Sequence, residues 1–105
     1  MDVVRCEGWW EQAGYGRQPM HGLRLRFDDR LIVGEGFDII GPFTLEGFIR
    51  QGVVNLQKHY KDAHSVDYPG TFDGEGTLQG HWSIHGFGGR WLIKVVALEP
   101  GHPGG

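Results

Sequence analysis

The chain has 105 residues, 39% of them hydrophobic and 22% charged, with six Phe, four Trp and three Tyr. This is the composition of one globular domain with a modest core, and it excludes a disordered chain or a membrane-spanning helix. Ten basic against thirteen acidic residues leave a net charge of −3 with no Lys/Arg block, which argues against nucleic acid as a partner.

The single Cys6 excludes an internal disulfide and, with no flanking base, reads as a small buried hydrophobe. Met1–Arg5 has no basic segment followed by an apolar run, so the chain reads as cytoplasmic with no membrane partner.

Alternation and turn residues predict about eight short strands. The first lies near Val3–Glu11, where adjacent Trp9 and Trp10 must face opposite sides. The second is near Met20–Phe27, with Leu23, Leu25 and Phe27 alternating with Arg24 and Arg26. Asp28-Asp29-Arg30 turns the chain into Leu31–Asp38, and Gly41-Pro42 precedes Phe43–Arg50. Gln51-Gly52 is a hairpin loop leading to Val53–Lys61, followed by His64–Phe72 and the turn Asp73–Gly76. Thr77–His85, a glycine-rich loop over Gly86–Gly89 and a last strand Arg90–Leu98 complete the set. Residues 1–98 are thus expected to form one β-barrel domain, and the Gly/Pro-rich residues 99–105 a flexible tail.

Short links between successive strands require antiparallel neighbours. Nineteen glycines, several inside strands (Gly34, Gly36, Gly47, Gly70, Gly80), favour a strongly curved sheet. An eight-stranded antiparallel up-and-down barrel is the all-β architecture that fits, with an open sandwich as the alternative.

Four pieces of the chain carry a resemblance. Gly8-Trp9-Trp10-Glu11-Gln12-Ala13-Gly14 is similar to the opening strand of the avidin and streptavidin family, and Phe43-Thr44-Leu45-Glu46-Gly47-Phe48-Ile49 to a middle strand. Tyr60-Lys61-Asp62-Ala63-His64-Ser65, followed by Tyr68, Gly70, Phe72 and Gly74, resembles the stretch around the family's fifth and sixth strands. Gln79-Gly80-His81-Trp82 resembles the next. The resemblance implies a calycin-type barrel in which Ser65 and Trp82 match a serine and a tryptophan of the biotin pocket. The rest of the biotin set is missing: Asp67 replaces a threonine, Leu56 a tryptophan, and Gly36 and Asp38 fall near a tyrosine and a serine. Burying Asp67 or Glu11 against a neutral ureido ring would be costly, so biotin is not the expected ligand.

Val54, Leu56, Lys58 and Tyr60 share one strand face, as do His64, Val66, Tyr68, Gly70 and Phe72. Two placements are open for Lys58: inside the barrel with a carboxylate from Asp38 or Glu46, or at the mouth with its ammonium in water. Asp38, Lys58, Tyr60, His64, Tyr68 and Trp82 are the candidate ligand-binding residues. No catalytic motif, metal site or cofactor is expected. His81 and His85 lie roughly 13 Å apart along a strand, and His59, His64 and Asp62 form an incomplete ligand set.

Trp91, Ile93 and Val95 alternate with Leu92, Lys94 and Val96, making the last strand apolar on both faces. With an outward tryptophan such as Trp9, the outer residues Leu92, Lys94 and Val96 are a candidate interface for a homodimer or higher homo-oligomer. The leading expectation of function is non-catalytic binding of a small molecule or short peptide at the barrel mouth. The alternatives are a filled structural, oligomerisation or partner-binding module, and an isomerase- or cyclase-like barrel using Asp38 with His64.

Overall fold

The computed structural model describes residues 3–61 and 63–98; the tail expected over residues 99–105, and Asp62, lie outside the described residues. Eight strands follow one another in chain order: β1 (Val3–Gln12), β2 (Gly16–Asp28), β3 (Leu31–Phe37), β4 (Pro42–Arg50), β5 (Val53–Tyr60), β6 (Ser65–Phe72), β7 (Thr77–Ile84) and β8 (Phe87–Leu98). Each pairs antiparallel with the next, and β8 returns to β1, closing the barrel. Closure removes both free edges, which the open sandwich would have left exposed.

Two boundaries depart from the sequence reading by more than one residue, and Asp38, Lys61, His64 and His85, expected within strands, fall just outside them. β2 begins at Gly16 rather than Met20, and β8 at Phe87 rather than Arg90, so Gly86–Gly89 is not a loop. The turn is His85-Gly86 alone, with φ of 48° and 82°, the paired positive values of a tight hairpin. Gln51-Gly52, with 51° and 78°, repeats it at the opposite end.

The core is the inner face of every strand. Leu23, Leu25, Ile32, Leu45, Val54, Leu56, Leu78, Trp91 and Ile93 are all buried in one cluster. A bulge in β2 resets its alternation, and a second irregularity lies at Arg5/Cys6 where β1 meets β8. The β2 register slips between His21 and Arg24 against β3, and Gly22 there has φ of 58°. The extra residue resets the alternation, so Met20 and Leu23 both face inward.

Gly70 and Gly80 face each other across β6 and β7, and Gly80 pairs with Trp91 of β8. A Cβ at Gly70 would strike the Gln79 carbonyl and the Trp91 ring; one at Gly80 would strike the Pro69 carbonyl. The missing side chains let the strands coil together while the Trp91 indole N–H donates to the Pro69 carbonyl at 3.1 Å.

The turns Ala13–Tyr15, Asp38–Gly41 and His85-Gly86, with the link from β5 to β6 that begins at Lys61 and ends at His64, gather at one end of the barrel. At the other end Phe27 and Phe72 stack with ring centroids 6.2 Å apart, and with Ile49 they pack against the core as a plug. The barrel is therefore closed by its own side chains at one end only.

Candidate functional site

The site starts with a turn. Asp38 follows the end of β3, its N–H donates to the Gly41 carbonyl, and its Oδ1 accepts the Ile40 N–H at 2.9 Å. This side-chain-closed turn fixes the carboxylate and aims Oδ2 into the barrel. There Oδ2 accepts from Lys58 Nζ at 2.6 Å, the Tyr60 hydroxyl at 2.7 Å and the Trp10 indole N–H at 3.1 Å.

Lys58 is placed by the β5 alternation between Leu56 and Tyr60 and has no exposed surface. Its ammonium uses all three protons: to Asp38, to the Tyr68 hydroxyl oxygen at 3.2 Å, and to Met20 Sδ at 3.7 Å. The centroids of Phe43, Tyr60, Tyr68 and Trp10 lie 4.3, 4.8, 5.2 and 5.6 Å from Nζ. A dehydrated cation is tolerable here because a carboxylate, a hydroxyl and ring faces replace its water. The placement of Lys58 in water at the mouth is thus overturned. Its partner is Asp38, while Glu46 turns outward to His59 Nε2 at 2.9 Å.

Burial shapes the electrostatics. It pushes Lys58 down to about 8, against the opposing pull of Asp38. For Asp38 burial acts upward, but hydrogen bonds from Lys58 and Tyr60 outweigh it and hold the carboxyl below its ordinary value. The Tyr60 and Tyr68 hydroxyls are raised, first by burial and then by the Asp38 charge nearby. At neutral pH the pair is ionised and both phenols are neutral.

Above the pair the barrel opens into a cup of about 640 Å³. Trp10, Tyr60, Tyr68 and Trp82 supply ring walls, Val66 and Ile84 apolar ones, and His64 the rim. Trp10 meets Trp82 edge-on at 5.9 Å, and His64 lies 5.3 Å from Tyr60. The Trp82 indole N–H is already spent on the Glu11 carbonyl at 2.9 Å. Of the six residues read from sequence, Tyr60, His64, Tyr68 and Trp82 line the cup, whereas Asp38 and Lys58 lie sealed beneath it. Cys6 is buried within the β1 face, which pushes its thiol up to about 12.

Sequence reasoning missed Trp10, Val66 and Ile84 as walls. Trp10 was recoverable: Arg5, Glu7 and Glu11 mark the odd face of β1 as outer, which leaves Cys6 and Trp10 inside. Trp9 consequently faces out, under the guanidinium groups of Arg17 and Arg90, 3.7 and 5.7 Å from its ring. Trp9 and Leu92 are register partners on that outer face, beside Lys94, with Val96 further along β8. Ser65, matched through the family resemblance to a pocket residue, is exposed on the outer face and bonds His59 Nδ1 at 2.6 Å. Asp67 is likewise exposed, in reach of Gln57 at 3.3 Å. His59 and His64 are engaged with different partners, one outside and one at the mouth. No group of three metal-binding side chains occurs among the described residues. Nor does any hydrogen bond join Asp38 to His64 among them, so the acid–base pairing has no geometric support.

No family model, no curated protein and no solved structure matches this chain.

Proposed function

We propose that the protein is a non-catalytic binding barrel that holds a small apolar molecule in its open end. The observation that carries this reading is the asymmetry of the barrel. One end is plugged by Phe27 and Phe72, and the other is left as an aromatic cup. Eight-stranded barrels have room for side chains or one small ligand, and here a cup of about 640 Å³ is left open at one end. A small molecule suits the walls better than a peptide, whose backbone polar groups would face ring surfaces.

A thermal-shift screen of ring-containing metabolites tests the reading. A hit that raises the melting temperature of the wild type but not of Trp82→Ala supports it. An absence of hits across aromatic and alicyclic compounds counts against it.

Partner binding is the second reading, favoured by the rim. Tyr15, Phe37, Ile39, Ile40 and Phe87, on or next to three of the turns around the cup, are 71, 51, 75, 52 and 61% exposed. Self-association through this rim, or through Trp9, Leu92, Lys94 and Val96, predicts a species heavier than 11.8 kDa in sedimentation equilibrium at micromolar concentration. A single 11.8 kDa species removes both surfaces as self-contacts.

A further inference from the structure

The hydrogen-bonding capacity of the cup is uneven. Trp10 donates to Asp38, Trp82 to the Glu11 carbonyl and Tyr60 to Asp38, so three of the four buried ring donors on the wall are satisfied by the protein, while His64 and Tyr15 stand exposed at the rim. Tyr68 is the exception. Its oxygen accepts from Lys58, yet its own proton is donated to no described residue, although the side chain is only 2% exposed. A buried hydroxyl donor without a protein acceptor is uncommon and calls for a partner within the cup. The Lys58 ammonium, donating to the same oxygen, polarises the O–H and makes it a stronger donor.

Resting on the binding reading above, we infer that the ligand is an uncharged ring compound with a carbonyl group, whose oxygen accepts the hydrogen bond of the Tyr68 hydroxyl. The rings pack against Trp10 and Trp82, which have no donor left to offer. A carboxylate in place of the carbonyl is disfavoured, because Asp38 already neutralises Lys58 and its charge opposes a second anion beside it. A ligand with a cationic head would meet the Lys58 ammonium without a free counter-ion. A wholly apolar ligand would leave the Tyr68 proton buried and unpaired.

Calorimetric titration with three probes of one shape decides the matter: an acetylnaphthalene, and the ethylnaphthalene and naphthoate with the same ring position. The acetyl compound is expected to bind about tenfold more tightly than the ethyl compound. Its carbonyl stretch should move to lower frequency on binding than in an alkane solvent. In Tyr68→Phe the preference should vanish while the ethyl compound still binds. Should that variant fail to fold, the infrared shift and the wild-type ratio stand by themselves. Equal affinities with an unshifted carbonyl overturn the carbonyl assignment and leave the cup as a plain apolar site. Tightest binding of naphthoate overturns the uncharged class. Binding by none of the three overturns the assignment together with the reading on which it rests.

Discussion

Asp38 and Lys58 meet at 2.6 Å inside the barrel although β4 separates their strands, so the contact spans the interior rather than following the sheet. The carboxylate is oriented by its own turn and the ammonium by strand alternation, and neither has water to fall back on.

Removing one partner strands the other. Lys58→Met should cost on the order of 3 kcal/mol or more in denaturant melts, and Asp38→Asn a similar amount. The double variant should recover part of the loss, because no buried charge remains and the Tyr60 and Trp10 donors still find the amide oxygen. A neutral result for Lys58→Met would refute the buried pair.

Glu46 is the control. Its side chain is 65% exposed and paired with His59 on the outer face, so Glu46→Gln should change stability by less than about 0.5 kcal/mol. A loss comparable with that of Asp38→Asn would mean that the inner carboxylate has been misassigned.

The pH dependence follows from the directions of the shifts. Asp38 lies below its ordinary 3.8, so its contribution is complete above that pH and is lost as pH falls through the folded value. Lys58 is a base brought from 10.5 to about 8, so between those values the unfolded chain holds more protons and stability rises with pH. Tyr60 and Tyr68 are raised above 10, where the folded chain holds more protons, so stability falls again in stronger alkali. Urea midpoints measured across this range should therefore rise above about pH 8 and turn down above about pH 10. In Lys58→Met the rise should disappear.

Gly80→Ala forces a methyl group onto the Pro69 carbonyl and should cost about 1–3 kcal/mol. It should also disturb Trp91, whose indole bonds that same carbonyl, so its fluorescence maximum should shift with the loss of stability. Unchanged emission and stability would show that the two strands separate more easily than their packing implies.

Much of this fold was legible because two local signals agreed along the chain: period-two alternation, and turns such as Gln51-Gly52 whose chemistry demands positive φ. The shared faces of β5 and β6 gave Tyr60 and Tyr68 directly, but left Lys58 open between interior and mouth, and they placed His64 on the inner face although it sits exposed in the turn before β6. The bulge at Gly22, which turns Met20 toward Lys58, breaks the alternation by one residue and leaves no periodic trace. The choice of Asp38 over Glu46 depended on barrel height and face together. Glu46 shares its outer side with His59, a cross-sheet fact that no spacing along one strand encodes. The family resemblance and the alternation disagreed over Ser65, and the alternation was right because strand geometry allows only one face per residue.

The pairing of Val4 with Leu98 sets how this molecule can be joined to anything else. Both described strand ends lie side by side at the plugged end, opposite the cup. A fusion or anchor made at either strand end would start from the side opposite the entrance. The same proximity makes the barrel a candidate for circular permutation, with the old ends bridged by a short linker and new ones cut at Gln51-Gly52. Such a rearrangement would leave the four turns around the entrance untouched.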